Sequence, residues 1–229
     1  MSRFMIFLLF CAWASLAQAI PRELIVVSGG PAVRFFEKNK EHTHDLHWGN
    51  FIDSGVIRLQ QLKESAAAGD QVSWLVYRPG YVDRGKEMST DLVAVILEKA
   101  NQMGVSLFWF DTTNQLINYL NHGKDRSVMP IGNFDYFGHS NKVCFLFDYS
   151  NLFDSMSVVY LHDKNLQRIG SDIFEPTATC KSWGCHTGEY FSEQWKRRTG
   201  VPMTGAIGKT DYSKGGLPIL STENGRWTQ

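Results

Sequence analysis

Apolar residues follow two alternating patterns along the chain, short clusters of strand length and longer stretches with helical spacing. The short clusters predict extended segments at 24–27, 72–77, 105–110, 128–137, 143–147, 178–183 and 201–207. The longer stretches predict helices at 51–62, 92–103, 114–120, 161–169 and 189–198. Strands separated by helices are typical of crossover connections between parallel strands. The pattern therefore predicts a single three-layer α/β/α domain with a mostly parallel sheet.

Glycine and proline mark the ends of several of these elements. Ser28-Gly29-Gly30-Pro31 follows the first strand and Arg78-Pro79-Gly80 follows the second, while Gly104 and Gly123 end two helices. From Thr210 onward the chain is rich in Gly, Ser and Thr, and we expect a tail made mostly of loops.

The first residues have the pattern of a secretory signal. Arg3 supplies a positive charge, 4–16 is an almost unbroken apolar run, and Ala17-Gln18-Ala19 matches the small-x-small cleavage pattern. The apolar run is shorter than the roughly 20 residues that a membrane-spanning helix needs. We therefore predict that 1–19 is a cleaved signal peptide and that 20–229 is the mature domain, secreted or periplasmic and without a stable membrane anchor.

The charge balance narrows the choice of partners. The chain has 23 Lys and Arg against 23 Asp and Glu. This balance argues against a nucleic-acid-binding tail and against a polybasic membrane patch, since both need a local excess of positive charge. A hydrophobic content of 43% is ordinary for a folded domain and excludes a disordered chain.

Two loops carry residues suited to thiol chemistry. In a parallel sheet, sites form outside the carboxyl ends of the strands. Gly138-His139-Ser140-Asn141 follows one predicted strand, and the loop 184–188, which contains Cys185, follows another. Each loop starts with a glycine, which allows a sharp turn. We therefore expect His139 and Cys185 to face one cleft.

The residue types in these loops supply the parts of a cysteine peptidase. A thiol becomes a strong nucleophile when an imidazole takes its proton. We also expect Cys185 to lie at the start of a helix, where exposed amides lower a thiol pKa. The backbone N–H groups of Gly138 and Cys185 could form the oxyanion hole that acyl transfer requires.

Further residues near these loops are candidates for contact with a substrate. The loop that follows the first strand would form one wall of the cleft, and 78–81 would form the other. That first loop could also hold a phosphate on its amides, although it lacks the lysine of a P-loop. The predicted substrate-contacting residues are Ser28, Gly29, Gly30, Ser140, Asn141, Trp183 and His186.

Charged residues near the strand ends leave the substrate's charge open. Asp135, Asp148 and Asp211 would suit a basic side chain at the cleaved position, whereas Arg78 and Lys209 would suit an acidic one.

The segment 178–188, with its Gly184-Cys185 pair, resembles the nucleophile block of caspase-like cysteine peptidases. It is most similar to the caspase-like domain of large bacterial surface proteins. A helix follows it, and then the small-residue segments Thr199-Gly200-Val201 and Thr204-Gly205-Ala206. The resemblance covers about 126–210 and implies a caspase-like sheet and a peptide or protein substrate.

The same resemblance extends to the segment around the histidine. In these peptidases a strand ending in His and a small residue precedes the strand ending in Gly-Cys, and Phe137-Gly138-His139-Ser140 matches, with Ser140 where Gly is usual. The resemblance implies that Cys185 is the nucleophile and His139 the base. We predict no metal ligand and no cofactor for this site.

The cysteines also allow a reading without catalysis. Cys144, Cys180 and Cys185 remain after signal cleavage, and an oxidising compartment favours disulfides. A Cys144–Cys180 bond between neighbouring strands is the more plausible pair, and it would leave Cys185 free. If Cys185 is instead structural, the protein is a non-catalytic binding module on the same fold.

A histidine cluster offers a third hypothesis, a metal-binding protein. His42, His44 and His47 lie in a polar segment where His-x-His spacing can present imidazoles to zinc or copper. A second potential metal set combines Cys185 with His139 and His186.

Overall fold

The predicted alternation of strands and helices is present in the computed structural model, which describes residues 20–31, 47–148 and 158–228. The strands are β1 (Glu23–Ser28), β2 (Gln71–Tyr77), β3 (Ser106–Phe110), β4 (Ile131–Phe137), β5 (His139–Ser140), β6 (Cys144–Leu146), β7 (Tyr160–His162), β8 (Phe174–Ser182), β9 (Met203–Thr204), β10 (Ala206–Ile207), β11 (Thr210–Asp211), β12 (Ile219–Leu220) and β13 (Arg226–Trp227). The helices are α1 (Asn50–Ser65), α2 (Arg78–Met88), α3 (Leu92–Met103), α4 (Thr113–His122) and α5 (Phe191–Thr199). Residues Asp163–Arg168 and Thr187–Glu189 form 3-10 helices.

The central sheet has six strands in the order β3-β2-β1-β4-β8-β9, and every neighbouring pair is parallel. The α/β prediction with a mostly parallel sheet is therefore confirmed. The chain runs outward from β1 to β3 and then returns to place β4 on the other side of β1. The strand order reverses between β1 and β4, and sheets of this kind bind ligands at the carboxyl ends beside such a reversal.

Alternate residues of each strand enter two separate cores, which makes three layers. Val26 and Trp74 pack on one face with buried residues of α1, α2 and α3. Ile25 and Leu75 pack on the other face with residues of α4 and α5, including Trp195. The helices therefore cover both faces of the sheet.

A buried ion pair fixes the amino edge of the sheet, opposite the candidate loops. Arg126 lies 2.6 Å from Glu23, which is fully buried at the start of β1. The hydroxyls of Ser73 and Tyr119 donate to the same carboxylate at 2.5 and 2.7 Å. The charge on Glu23 is thus paired and hydrogen-bonded, as burial of a carboxylate requires.

Helix α2 was not predicted, because Arg78-Pro79-Gly80 resembles a turn signal. In the structure Pro79 occupies the first turn of the helix, where its missing N–H costs no hydrogen bond. Gly80 packs closely on the loop after β1, since a Cβ there would lie 3.1 Å from the Cα of Gly30.

The predicted helix at 161–169 is wrong in its first part. The chain there forms β7 followed by the 3-10 helix Asp163–Arg168. Leu161, Leu166 and Ile169 are all buried in one core, so a strand followed by a tight helical turn satisfies the same apolar spacing.

The Cys144–Cys180 disulfide considered in the structural alternative is not formed, and its premise of neighbouring strands is wrong. Cys144 lies on β6 in a separate antiparallel sheet with β5 and β7, whereas Cys180 lies on β8 of the central sheet. The two strands are not neighbours, because the chain leaves the central sheet after β4. Cys144, Cys180 and Cys185 are all free thiols.

The remaining boundaries differ in smaller ways. Strand β8 begins four residues earlier than predicted, and its pairing with β4 shifts register around Pro176, as expected for a proline within a strand. The tail contains only two-residue strands.

Across the described residues, no helix is long and apolar enough to cross a membrane. The predicted signal peptide, 1–19, lies outside the described residues.

Candidate functional site

The loops after β4 and β8 lie against each other at the carboxyl edge of the sheet. The two strands are parallel neighbours, so their ends meet. The Ser140 hydroxyl donates a 2.7 Å hydrogen bond to the carbonyl of Cys185. This bond joins the loop that carries His139 directly to the loop that carries the thiol.

The glycines of these loops permit close approach. Neither Gly138 nor Gly184 has a positive φ, so the expected sharp turn is not their reason. A Cβ on Gly184 would lie 2.8 Å from the carbonyl oxygen of Gly138 and would also overlap Ser140. A Cβ on Gly138 would lie 2.6 Å from the Tyr136 ring. The two loops therefore touch because Gly184 lacks a side chain, whereas the missing side chain of Gly138 leaves room for Tyr136 of its own strand.

His139 is held by aromatic residues around its loop. Its ring meets Phe51 of α1 edge-on, with centroids 4.9 Å apart. Its backbone carbonyl accepts a 2.7 Å hydrogen bond from the Tyr136 hydroxyl. The histidine is partly exposed. The ring therefore packs against α1 at the carboxyl edge of the sheet.

Cys185 is partly exposed, and its thiol contacts Thr210 of the tail. Its Sγ accepts from the backbone N–H of Thr210 at 3.4 Å and lies 3.6 Å from the hydroxyl of that residue. The Thr210 carbonyl oxygen lies 3.9 Å from Sγ. Sγ is therefore hydrogen-bonded to the tail through Thr210.

The prediction that Cys185 starts a helix is wrong. The residue lies in a turn, the short 3-10 helix Thr187–Glu189 follows, and α5 begins only at Phe191. Five residues lie between Cys185 and α5, and the field of a helix end falls off within one turn. The N–H of Thr210 is the donor that faces the sulfur instead.

Tyr212 bridges the two loops from the tail. Its hydroxyl donates to the carbonyl of Trp183 at 3.0 Å and accepts from the N–H of Gly138 at 3.4 Å. Its ring packs edge-on against Phe51, with centroids 4.9 Å apart. Burial raises the pKa of Tyr212 well above its usual value, so the hydroxyl keeps its proton.

The two predicted oxyanion donors differ in their partners. The N–H of Gly138 is bonded to Tyr212. Among residues 20–31, 47–148 and 158–228, the N–H of Cys185 has no hydrogen-bond acceptor. The N–H of Cys185 is therefore open, whereas the N–H of Gly138 is occupied by a side chain.

His186 is turned toward a carboxylate beside the site. It has a positive φ of 62°, and its Nδ1 lies 2.5 Å from Glu189. Lys142 lies 2.7 Å from the same carboxylate, and Lys142 with His186 lowers the pKa of Glu189 to about 2. This ion pair is a second connection between the histidine loop and the cysteine loop.

Asn141 shapes the loop that follows β5. Its side-chain oxygen accepts from the N–H groups of Val143 and Cys144 at 2.9 and 3.0 Å. Such bonds are the usual means by which asparagine stabilises a turn. The predicted substrate contact of Asn141 thus coincides with a structural role.

The glycine loop after β1 is occupied by internal hydrogen bonds. The N–H groups of Gly29 and Gly30 donate to the carbonyls of Phe137 and Phe147 at 2.8 and 2.7 Å. These amides have no capacity left for a phosphate. The Ser28 side chain is fully buried, and its hydroxyl donates to the carbonyl of Phe51. The predicted substrate wall formed by Ser28, Gly29 and Gly30 is therefore an interior surface.

In the second predicted wall, 78–81, only Tyr81 belongs to the interior. Tyr81 is fully buried, and its hydroxyl donates to the carbonyl of Gly29 at 2.7 Å. Arg78 faces away into an ion pair with Asp111 at 2.6 Å.

Trp183 packs beneath the site. It is buried and stacked on Phe137 at 5.5 Å, with an angle of 9° between the rings. Its Nε1 donates to Asp135 at 2.7 Å, and the ammonium of Lys181 lies 3.6 Å from its ring centroid. Its contribution to the site is its carbonyl, which accepts from Tyr212.

The acidic residues considered for substrate charge all have partners. Asp135 is buried and lies 2.7 Å from Arg58. Asp148 is buried and accepts from two backbone N–H groups. Asp211 accepts from the N–H and hydroxyl of Ser213. None of these contacts selects a basic or an acidic substrate.

The structure tests only one of the two metal hypotheses. Where side chains are described, no group of three or more His, Cys, Asp or Glu residues is arranged to hold an ion. The proposed set of His139, Cys185 and His186 is therefore not assembled. His47 lies 2.9 Å from Asp53, while the other two histidines of its cluster, His42 and His44, are outside the described residues.

Sequence reasoning missed Thr210 and Tyr212, which complete the surroundings of the thiol. Both lie in the tail expected to be loops, and the one signal there is an aromatic residue in a segment rich in Gly, Ser and Thr. Comparison with known proteins adds no relative: no protein-family model, curated protein or solved structure matches this chain.

Proposed function

We propose that the protein is an exported, caspase-like cysteine peptidase that acts on a peptide or protein without a cofactor. The observation that carries this proposal is the hydrogen bond between Ser140 and the carbonyl of Cys185, because it joins the loop of His139 to a partly exposed, reduced thiol. Such a thiol at the carboxyl edge of a parallel sheet suits nucleophilic catalysis.

In the first step, the sulfur of Cys185 attacks the carbonyl carbon of a peptide bond. A C–S bond forms, the thiol proton passes to His139, and the carbonyl oxygen becomes an oxyanion. The C–N bond then breaks as the imidazolium returns that proton to the leaving amine. The product of this step is a thioester on Cys185.

In the second step, water releases the acyl group. His139 takes a proton from the water as its oxygen attacks the thioester carbon, and the C–S bond breaks. The acid product leaves and the thiol regains the proton. The N–H of Cys185 faces both oxyanions, so it supplies electrostatic stabilisation in each step.

The second candidate is a non-catalytic binding module on the same fold. The hydrogen bond from the Thr210 N–H to Sγ favours it, because that bond gives the thiol a structural partner. In this case Cys185 would react no faster than an ordinary partly exposed thiol.

The rate of alkylation by iodoacetamide between pH 4 and 9 separates the two candidates. Labelling of the peptide that contains Cys185 is followed by mass spectrometry in the 20–229 chain, in the wild type and in His139→Ala. His122→Ala, at the end of α4, is the matched control. The pH at which the alkylation rate is half its maximum is the measured quantity. A midpoint well below the usual thiol pKa of about 8.5, lost in His139→Ala alone, supports the pair of Cys185 and His139. A midpoint near that usual value in all three proteins supports the binding module.

A further inference from the structure

The tail lies directly on the catalytic loops. The hydroxyls of Thr210 and Tyr212 both donate to the carbonyl of Trp183, at 2.9 and 3.0 Å. Further along, the carbonyl of Gly216 accepts a 2.9 Å hydrogen bond from Ser54 of α1. The segment 210–216 therefore runs from the thiol to α1 across the ends of the strands.

Within this segment, the hydroxyl of Tyr212 accepts a hydrogen bond from a backbone N–H that the proposed acyl transfer needs. Its hydroxyl proton goes to the carbonyl of Trp183, so its oxygen presents lone pairs to the N–H of Gly138. An oxyanion bound between Gly138 and Cys185 would need that same N–H. The Gly138–Tyr212 bond is long, at 3.4 Å, and is therefore weak enough to be exchanged.

We propose that Tyr212 is a resting-state occupant of the oxyanion site, which the carbonyl oxygen of a substrate must displace from the N–H of Gly138. This inference rests on the proposed function, because it assigns a role to Tyr212 in the same acyl transfer. The neutral hydroxyl satisfies a backbone donor that would otherwise lack an acceptor, and it withholds that donor from the transition state. The site is consequently less active toward carbonyl substrates than the reactivity of its thiol allows.

Two probes of the thiol distinguish this role from a purely structural one. Iodoacetamide alkylates sulfur by displacement of iodide, so no oxyanion forms. p-Nitrophenyl acetate acylates sulfur through an oxyanion, forming a C–S bond and releasing p-nitrophenolate. The ratio of the acylation rate to the alkylation rate therefore reports on the oxyanion site and cancels changes in the thiol itself.

The test variant is Tyr212→Phe, which keeps the ring on Phe51 and removes the hydroxyl. We expect its ratio to rise about two- to tenfold, the effect of removing one competing hydrogen bond, with alkylation unchanged. Tyr160→Phe, on the exposed side of β7, is the matched control and should leave the ratio unchanged. Tyr212→Leu should raise the ratio in the same direction and serves if the first variant folds poorly.

The other outcomes overturn the inference. An unchanged ratio would mean that Tyr212 does not compete with the oxyanion. A lower ratio would mean that its hydroxyl donates to the oxyanion. In both cases fast, His139-dependent alkylation would leave the proposed function intact. Alkylation at the rate of an ordinary thiol in every protein would instead refute the proposed function and this inference with it.

Discussion

Replacement of Gly184 by alanine tests whether the close approach of the two loops supports the site. The added Cβ would lie 2.8 Å from the carbonyl oxygen of Gly138, whereas ordinary contact begins at 3.4 Å. It would also overlap Ser140, whose hydroxyl can rotate away, whereas the Ser140 Cβ, 2.9 Å from the added atom, and the Gly138 backbone cannot. The loops must therefore separate by several tenths of an ångström.

The size of the effect follows from this overlap. Extra atoms in a well-packed site cost about 1–3 kcal/mol of unfolding free energy. In a domain of this size each kcal/mol lowers Tm by about 2–4 °C, so we expect Tm to fall by about 2–12 °C. A displacement of 1 Å costs on the order of a hundredfold in positioned catalysis, so a smaller separation should slow acylation of Cys185 about tenfold.

Calorimetry and p-nitrophenyl acetate acylation measure the two effects on Gly184→Ala. Gly216→Ala is the matched control, because a Cβ at that position meets no atom within 4 Å. A second Ser140→Gly change in the Gly184→Ala background removes part of the overlap, so the loss should be smaller than the sum of the two single losses. A Gly184→Ala protein with unchanged Tm and unchanged acylation would refute the argument that these loops must touch.

Three further predictions concern charge and the remaining thiols. Glu23→Gln leaves Arg126 buried without its counter-charge, so it should lower the free energy of unfolding in urea by about 3–5 kcal/mol. The exposed Glu193→Gln is the control and should lower it by under about 1 kcal/mol. Equal losses in the two variants would contradict this prediction. Because the pKa of Glu189 is lowered to about 2, its stabilisation is complete above about pH 4.5 and is lost as the pH falls toward 2. Lys142→Gln should therefore destabilise the protein at pH 7 and much less at pH 2.5, and a gap of the same size at both pH values would refute this. Burial raises the pKa of Cys180 to about 12 and also raises the pKa of Cys144. The native 20–229 chain should therefore react with Ellman's reagent at one thiol at pH 8, and at three thiols after unfolding. Rapid reaction of two or three thiols in the native protein would contradict this prediction.

The sheet could be predicted from sequence because its strands and helices have clear periods. The runs at 24–27 and 72–77 are apolar enough to be buried on both faces, and the structure pairs them as parallel neighbours. Helix α4 combines a predicted apolar stripe with a capping box formed by Thr112 and Gln115. Where local pattern and burial agree in this way, a single sequence suffices.

The errors arise where one local signal fits two structures. Arg78-Pro79-Gly80 has turn residues, yet proline is equally suited to the first turn of a helix. Cys144 lies in an apolar run that resembles another strand of the sheet, but it belongs to a separate antiparallel sheet. Only contacts between distant segments decide such cases.

The candidate site likewise contains residues that local sequence patterns predict and residues that only distant contacts place. The place of the two candidate residues could be predicted because His139 and Cys185 each follow a strand, and parallel strands present their ends at one edge. The groups that set their surroundings could not, because Thr210 and Tyr212 come from two-residue strands and loops too short to have a period. Thr210 is 25 residues from Cys185 in sequence, yet its N–H is bonded to the sulfur. The occupant of the Gly138 N–H is therefore set by long-range contacts, and under the proposed function acyl transfer by the thiol depends on that occupant as well as on the proposed pair of Cys185 and His139.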